Sequence, residues 1–577
     1  MLLSNLNLLA TAPGGVARLR ELILTLAVQG KLVPQDPHDE PASELLKNIR
    51  AEKDRLIAEG KIKRDKPLAE IATDERPFDA PIGWEWVRLG DVVLISSGVA
   101  LGRKTAIPSP VSLPYVRVAN VQRWHLNLSS MKEVVIDNSE LERFKLAGGD
   151  LLITEGGDWD KVGRTSIWRN QLLTCLHQNH VFKARGTSTE WNPVWAELFL
   201  NSSIARSYFA SSAKQTTNLA SINMTQLKDC VFPVPPVSEQ SRIVTRVEEL
   251  MRLCDALEAK GQLEATQHAQ LVSTLLGTLT ESETPEDLAD NWQRVATHFD
   301  LLLDRPEAVD ALEQTILQLA VRGLLVPQDP QDEPASELLK KIRAEKDKLI
   351  SEGKVKRDKL LAEIATDDRP FEAPIGWKWV RLGDVVLISS GVTLGRKTAI
   401  PSPVSLPYVR VANVQRWHLN LSSMKEVVID NSELERFKLA GGDLLITEGG
   451  DWDKVGRTTI WRNELLTCLH QNHVFKARGT STDWNPVWAE LFLNSSIART
   501  YFASSAKQTT NLASINMTQL KDCVFPVPPV SEQSRIVTRL AHLRSLCNDL
   551  RQRLTAASER QSQLAQSLVE MQSTTTV

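Results

Sequence analysis

Three polar stretches in the first half of the chain contain the residue types that contact nucleic acid. They are residues 98–105 (GVALGRKT), 155–165 (EGGDWDKVGRT) and 214–218 (KQTTN), the last leading into 221–224 (SINM). Arginine and lysine pair with guanine O6 and N7, asparagine and glutamine pair with adenine N6 and N7, and threonine hydroxyls suit phosphates. Each stretch can also be an ordinary turn capped by polar side chains. We expect at least one of them to contact DNA.

The candidate contact residues occur twice, at an offset of 293 residues. In the first half they are Arg103, Lys104, Lys161, Arg164, Lys214, Gln215 and Asn218. Their counterparts in the second half are Arg396, Lys397, Lys454, Arg457, Lys507, Gln508 and Asn511.

Most of the chain is a tandem repeat that places these residues in two equivalent settings. Residues 80–246 recur as residues 373–539 without insertion or deletion. A repeat of this length predicts a self-sufficient folding unit with its own core. Six positions differ between the copies: Glu85/Lys378, Ala100/Thr393, Ser166/Thr459, Gln171/Glu464, Glu190/Asp483 and Ser207/Thr500.

The charge distribution is compatible with DNA binding. The formal net charge is −3, but residues 80–237 carry 16 Lys and Arg against 13 Asp and Glu, and residues 373–530 carry 17 against 13. A mild positive excess therefore coincides with the candidate contact residues. This excess favours a nucleic-acid partner without requiring one.

Familiar catalytic motifs are missing from the sequence. It contains no GxxxxGK[ST] phosphate loop, no GxGxxG, no GxSxG and no HExxH. It also lacks the Asn-Pro-Pro-aromatic motif with which amino-methylases hold the target amino group. We therefore expect no catalytic residue in this chain.

The cysteines and histidines do not predict a metal site. Cys175, His177 and His180 lie within six residues, but alternation along a strand would turn His180 away from the other two. We expect packed or surface histidines and no metal ion. The six cysteines predict buried free thiols in a reducing cytoplasm. The sequence has no run of 18 apolar residues, so no membrane-spanning helix is predicted.

Hydrophobic periodicity predicts an α+β architecture with a mainly β domain in each copy. Short apolar alternations predict first-copy strands at residues 92–95, 115–118, 134–136, 151–153, 166–168 and 180–182. Helical spacing predicts helices at residues 14–29, 42–60 and 193–210, and a long helix after each domain at 238–278 and 531–571.

The two long helices carry an apolar seam with alternating spacings of three and four residues. The seam residues are Ile243, Val247, Leu250 and Leu257 in the first helix, and Ile536, Leu540, Leu543, Leu550 and Leu554 in the second. The seams are best buried if the helices, each roughly 60 Å long, pack on each other. In the alternative, each helix lies on its own domain.

Several segments resemble the DNA specificity subunit of type I restriction-modification systems. They are LAVQGKLVPQDP (26–37), GWEWVRLGD (83–91), KQTTNL (214–219) and PVPPVSEQSRIV (233–244). The resemblance covers essentially the whole chain. It implies two target-recognition domains with a pseudo-twofold relation, separated by two long conserved helices that form an antiparallel coiled coil.

The resemblance divides the chain into seven segments. They are an N-terminal helical segment (1–78), the first target-recognition domain (79–237), a central long helix (238–280), an acidic linker (281–306), a second helical segment (307–371), the second target-recognition domain (372–530) and a C-terminal long helix (531–577).

The resemblance also implies partners. A specificity subunit docks two methylation subunits and recruits restriction subunits on double-stranded DNA, in the cytoplasm of a prokaryote. S-adenosylmethionine, ATP and Mg are expected on those partner subunits, and no cofactor is expected in this chain.

The near identity of the two domains departs from the usual family pattern of two dissimilar domains. Since a twofold protein binds a twofold site, we expect an interrupted palindrome as the target. Two other classes stay open, a scaffold with duplicated β domains and a self-contained nuclease or methylase. A gel shift with and without the methylation subunit, beside an activity assay, distinguishes the three.

Overall fold

The first half of the chain begins with short helices, continues into a mainly β domain and ends in a long helix. The computed structural model describes residues 6–102, 107–157, 161–215, 220–282, 284–395, 400–450, 454–508 and 513–574. The helices of this half are α1 (Leu6–Thr11), α2 (Gly15–Val28), α3 (Ala42–Ala58), α4 (Leu89–Val92), α5 (Leu141–Phe144), α6 (Pro193–Leu200), α7 (Ser203–Ser212), α8 (Met224–Asp229) and α9 (Val237–Glu281).

The strands of the first domain are short and form several small sheets. They are β1 (Glu85–Arg88), β2 (Val93–Ser97), β3 (Pro110–Val116), β4 (Lys132–Asp137), β5 (Leu151–Thr154), β6 (Gly156–Gly157), β7 (Thr165–Ile167), β8 (Leu176–His177), β9 (Val181–Gly186), β10 (Lys214–Gln215), β11 (Ala220–Ser221) and β12 (Val231–Val234). The central sheet has the order β2-β9-β5-β7, and smaller sheets have the orders β4-β3-β8, β10-β11-β6 and β1-β12. Each strand predicted for this domain overlaps an observed strand.

The second half repeats this arrangement after two connecting helices, α10 (Pro285–Thr297) and α11 (Phe299–Leu302). Its helices are α12 (Pro306–Val321), α13 (Ala335–Ser351), α14 (Leu382–Val385), α15 (Leu434–Phe437), α16 (Pro486–Leu493), α17 (Ser496–Ser505), α18 (Met517–Asp522) and α19 (Val530–Thr574). Its strands are β13 (Lys378–Arg381), β14 (Val386–Ser389), β15 (Pro403–Val409), β16 (Lys425–Asp430), β17 (Leu444–Thr447), β18 (Gly449–Gly450), β19 (Thr458–Ile460), β20 (Leu469–His470), β21 (Val474–Gly479), β22 (Lys507–Gln508), β23 (Ala513–Ser514) and β24 (Val524–Val527).

The helix predicted at residues 193–210 is two helices, α6 and α7. The break falls at Asn201 and Ser202, which are both buried. The Asn201 side chain donates to the carbonyl of Thr165 at 2.9 Å, and Ser202 N-caps α7 by accepting from the Ala205 amide. A serine that can cap favours a new helix start over continuation, and apolar spacing alone does not show this.

Strand β3 is longer than predicted. Strand β3 begins at Pro110, five residues before the predicted start at 115. Its parallel neighbour β8 pairs only with Tyr115 and Val116. Pro110 and Pro114 therefore lie where one side of β3 is unpaired, and a missing N–H is tolerated there.

The chain divides into two compact units, and each long helix changes unit along its length. One unit is Met1–Glu264 with Ser558–Val577, and the other is Ala265–Ala557. The first part of α9 thus belongs to the first unit and its end to the second. The reverse holds for α19.

The predicted seam residues lie in or against the core of their own unit. Ile243 and Val247 are buried with the core of the first domain, and Leu250 and Leu257 pack against it. The corresponding residues of the second unit are the buried Ile536 and Leu540 and the half-buried Leu543, Leu550 and Leu554. The alternative in which each helix lies on its own domain therefore describes the first part of each helix.

A few side chains at the far end of each long helix are buried as well, although most residues there are exposed. Ala565 of α19 is buried in the core of the first unit. Val272, Leu276 and Leu279 of α9 are buried in the core of the second unit.

None of the helices in the described ranges has the length and hydrophobicity of a membrane span.

A buried glutamate fixes the start of each long helix. Glu239 is 1% exposed and accepts hydrogen bonds from Trp84 Nε1 at 2.9 Å and from Gln35 Nε2 at 2.6 Å. Burial raises the pKa of Glu239, and the hydrogen bonds from Trp84 and Gln35 oppose that rise. The carboxylate thus joins α9 to the domain and to the segment after α2. Glu532 makes the same bonds in the second half, with Trp377 and Gln328.

Substitution Glu239→Ala is expected to lower the free energy of unfolding by about 1–3 kcal/mol, because it leaves a buried indole N–H without an acceptor. Urea unfolding of the full chain, followed by tryptophan fluorescence, measures this loss. Glu249→Ala on the exposed face of the same helix is the control and should stay within about 0.5 kcal/mol of the parent chain. Equal losses in the two variants would contradict the role assigned to Glu239.

Candidate nucleic-acid interface

Some candidate contact residues lie outside the described residues. These are Arg103, Lys104 and Asn218, with their counterparts Arg396, Lys397 and Asn511. The structure places Lys161, Arg164, Lys214 and Gln215, together with Lys454, Arg457, Lys507 and Gln508. The structure also describes the first residues of each stretch, at 98–102, 155–157 and 214–215. These segments, called the roots of the stretches below, lie close together.

One turn, residues 177–180, joins the roots of the first and second stretches. The Val99 amide donates to the carbonyl of His177 at 2.7 Å, and the Asn179 amide donates to the carbonyl of Val99 at 3.0 Å. On the other side of the turn, the Glu155 amide donates to the carbonyl of His180 at 3.0 Å. These bonds hold residue 99 and residue 155 against the same four-residue turn.

A three-stranded sheet joins the second and third stretches. Strand β6 pairs with β11, and β11 pairs with β10, which consists of Lys214 and Gln215. The Ile222 amide extends the pairing by donating to the carbonyl of Glu155 at 2.9 Å. Lys214 and Gln215 are exposed at the edge of this sheet. The stretches around Lys161 and Lys214 are therefore neighbours, although 53 residues separate these two lysines.

Glycine is required where these segments approach each other. A Cβ atom on Gly98 would lie 1.9 Å from the carbonyl oxygen of His177, and one on Gly156 would lie 2.7 Å from that of Ala220. Any side chain at either position would push two backbones apart. These glycines set the convergence of the three stretches.

A buried threonine fixes the ends of the glycine-rich loop. Thr154 is fully buried, and its hydroxyl donates to the carbonyl of Lys161 and accepts from the Arg164 amide. The Arg164 guanidinium donates to the Gln122 side chain at 2.8 Å. Arg164 is half-buried and oriented by this amide, whereas Lys214 and Gln215 are exposed. Nothing in the sequence indicated Gln122, because it is 42 residues from Arg164.

An acidic side chain also belongs to the second polar stretch. The Glu155 carboxylate bonds to His180 Nδ1 at 2.6 Å, and His180 is about half exposed. Glutamate can accept a hydrogen bond from the amino group of cytosine. The sequence predicted a packed or surface histidine at position 180, but its pairing with Glu155, 25 residues away, has no local signal.

Cys175, His177 and His180, which lie within six residues, have separate surroundings. Cys175 and His177 are buried, and burial raises the pKa of Cys175 to about 12 and lowers that of His177 to about 4. His180 bonds instead to Glu155. Over the described ranges, no group of three His, Cys, Asp or Glu side chains is arranged to hold a metal ion.

The loop at residues 122–125 carries a bulky residue in a left-handed conformation. Trp124 has a φ of 72° and is 39% exposed, and Trp417 has a φ of 71°. Such a backbone is costly for an aromatic residue. In the second half, the Arg544 guanidinium of α19 lies 3.9 Å from the Trp417 ring. At the corresponding position the first half has Met251.

The second half otherwise repeats the geometry of the three stretches. Arg457 donates to Gln415 at 2.8 Å, and His473 Nδ1 bonds to Glu448 at 2.6 Å. Strand β18 pairs with β23, and β23 with β22. A Cβ on Gly449 would lie 2.7 Å from the carbonyl of Ala513. Each half therefore presents the same cluster.

Comparison with known proteins assigns both halves of the chain to a known domain family. The family model described as "Type I restriction modification DNA specificity domain" matches residues 81–267 and again 374–560. Among curated proteins, the chain is 36% identical over 570 residues to the type I restriction enzyme EcoAI specificity subunit of Escherichia coli, covering 96% of this chain and 93% of that protein. It is 34% identical over 564 residues to the EcoEI specificity subunit of Escherichia coli, again covering 96% and 93%.

The fold was also compared with solved structures. The crystal structure of the HsdS subunit from Thermoanaerobacter tengcongensis is 17% identical, covers 86% of this chain and 98% of that chain, and superposes with a TM-score of 0.39. The two family-model matches, with near full-length identity above 30% to curated relatives, show that this chain belongs to the family of type I restriction-modification DNA specificity subunits.

Proposed function

We propose that each domain binds one half of a bipartite DNA site through its cluster of three polar stretches. The observation that carries this proposal is the convergence of these stretches, in both halves, on one turn and one small sheet. Lys161, Lys214 and the first stretch supply positive charge for phosphates. Gln215 and Arg164 supply hydrogen-bond donors and acceptors suited to base edges.

The chemistry of modification and cleavage belongs to other subunits in this proposal. The chain is a non-catalytic specificity subunit that docks two methylation subunits and restriction subunits in the cytoplasm of a prokaryote. S-adenosylmethionine, ATP and Mg are bound by those partners, which supply adenine-N6 methylation and ATP-dependent cleavage. Support comes from the family assignment and from the missing methylase and phosphate-loop motifs.

We further propose that the long helices pair in antiparallel fashion, set the distance between the half-sites and dock the methylation subunits. Each long helix begins in one compact unit and ends in the other, which favours this pairing. Part of the apolar seam is already buried in the domain cores. These seam residues therefore anchor the helices to the domains, and in this proposal the exposed parts of the helices dock the partners.

The target site in this proposal is an interrupted palindrome. The stretches around Lys161 and Lys214 are identical to those around Lys454 and Lys507, and in the first stretch only Ala100/Thr393 differs. Identical surfaces bind identical base pairs, and an antiparallel helix pair would present them in inverted orientation. The two half-sites then have the same bases on opposite strands, around an unread spacer.

Methylation mapping tests the palindrome. Genomic DNA from cells that express the chain with its methylation subunit should carry modified adenines in one interrupted palindromic sequence, found by long-read sequencing. Thr393→Ala, which makes the first stretches identical, is the matched control and should leave the symmetry intact. Two unrelated half-sites would contradict the proposal.

Gly156→Ala tests the cluster in the first half. The added methyl would lie 2.7 Å from the Ala220 carbonyl, so it should separate the second stretch from the third and weaken specific DNA binding about tenfold, a loss within the range for one mismatched base pair. A gel shift of the complex with its methylation subunit measures this loss. Gly449→Ala should have the same effect in the second half, and Gly261→Ala, with no atom within 4 Å, should have none. Unchanged binding by both loop variants would contradict the role of the cluster.

Insertion of one helical turn into both long helices tests the spacing role. Four residues added after Lys260 and after Arg553, both exposed, should lengthen the spacer by about one or two base pairs. The half-sites should stay unchanged because the domains are untouched. Methylation mapping measures both properties, and an unchanged spacer in a variant that still methylates DNA would contradict this role.

A further inference from the structure

The ion pairs between short and long helices have opposite polarity in the two units. In the first unit, Arg20 of α2 bonds to Asp255 at 2.5 Å and to Glu258 at 2.8 Å, both on α9. In the second unit, Glu313 of α12 has the position of Arg20, and Arg551 of α19 has the position of Glu258. These two side chains pair at 2.8 Å. The same two positions are thus joined by charges of exchanged sign.

Further ion pairs of the reversed polarity occur in the second unit. Arg551 also lies 2.7 Å from Asp310, and Arg544 lies 3.2 Å from Glu313. Arg544 is held over the ring of Trp417. The first unit has uncharged residues at the positions of Arg544 and Asp310, namely Met251 and Ala17. The short helix is therefore basic on this face in the first unit and acidic in the second.

The domains themselves cannot tell the two short helices apart. Helix α2 packs on α6, and helix α12 packs on α16. Helices α6 and α16 have the same sequence, PVWAELFL. Apolar packing on the domain would thus accept either short helix. The two long helices begin to differ only after Arg246 and Arg539, where the repeat ends.

A wrong pairing would bring like charges together. The far end of α19 already contacts α2 through Arg18 and Ser562, so the wrong pairing concerns the first part of each long helix. If α2 took the place of α12 there, Arg20 would face Arg551, and if α12 took the place of α2 against α9, Glu313 would face Glu258. Correct surface ion pairs contribute little attraction. Discrimination between partners rests instead on the repulsion and the lost bonds of the wrong pairing.

We propose that these charges form a recognition surface that directs each short helix to its own long helix. The surface of α2 accepts an acidic helix and the surface of α12 accepts a basic helix. This selection keeps the nearly identical halves of one chain, or of two chains, from pairing wrongly during folding. It is independent of the DNA sequence bound.

Crosslinking after refolding tests this proposal. Asp310, the counterpart of Ala17, reaches Arg551, the counterpart of Glu258, so position 17 lies near position 259 in the correct pairing. Chains with Ala17→Cys and either Ala259→Cys or Gln552→Cys are denatured in urea, refolded and treated with a bismaleimide. Mass spectrometry measures the 17–259 and 17–552 crosslinks, with the never-denatured chain as background. The six native cysteines are buried.

Two variants isolate the charges. The first gives unit one the charges of unit two, through Arg20→Glu, Met251→Arg, Asp255→Asn and Glu258→Arg. The second adds the reciprocal changes Asp310→Ala, Glu313→Arg, Arg544→Met, Asn548→Asp and Arg551→Glu. It contains every substitution of the first variant and therefore controls for failure to fold.

The first variant should raise the 17–552 crosslink about tenfold, the ratio that two surface pairs of ordinary strength produce. The second variant should return this crosslink to the level of the parent chain. Equal 17–552 yields in the parent chain and the first variant would overturn the proposal. A raised yield in both variants would also overturn the proposal. In the second variant each short helix is again complementary only to its own long helix, so the charges could not explain the wrong pairing.

Discussion

Close approach of backbones at two glycines is the constraint on which the candidate interface depends. Gly98 lies against the turn at residues 177–180, and Gly156 lies against strand β11. Because neither position has room for a Cβ, segments more than 50 residues apart share hydrogen bonds at their roots. These backbone hydrogen bonds hold the described parts of the three stretches together. They do not depend on the side chains at exposed positions such as Lys214 and Gln215.

The long helices are likewise fixed by buried contacts where they begin. Glu239 is buried where α9 begins, and its bonds to Trp84 and Gln35 join the helix, the domain and the N-terminal segment at one carboxylate. An error in the direction of α9 would be propagated along 45 residues. Leaving a buried donor without its acceptor is costly, so these bonds help to fix the direction in which α9 leaves the domain. The domain and the first part of its helix therefore belong to one unit, in which the described part of the loop cluster has a defined position relative to that part of the helix.

The sequence predicted the elements well and the contacts poorly, for physical reasons. Periodicity located α2, α3 and both long helices within a few residues, because burial of one face leaves a regular signal. It missed the break at Ser202, where a local cap competes with continued helix, and the start of β3, where an edge position tolerates proline. The pairing of Glu155 with His180 and of Arg164 with Gln122 has no local signal, because those partners are 25 and 42 residues apart. Residue types marked the three polar stretches as candidates, but nothing in the sequence indicated that they converge.

Duplication gives the chain two nearly identical candidate interfaces, and it also gives two domains on which either short helix could pack. Two identical clusters suit a symmetric site, which is a use for the near identity of residues 80–246 and 373–539 under the proposed function. Identity in the helices would be harmful, because identical helices could combine with either domain and yield mixed structures of similar stability. The helices differ in sequence where the domains do not, and their ion pairs differ in sign at equivalent positions. Such a pattern is expected when a sequence must exclude alternative pairings as well as stabilise the correct one. The charges on α2 and α12 are therefore tied to the symmetry of the domains, since only nearly identical domains create the ambiguity that those charges resolve.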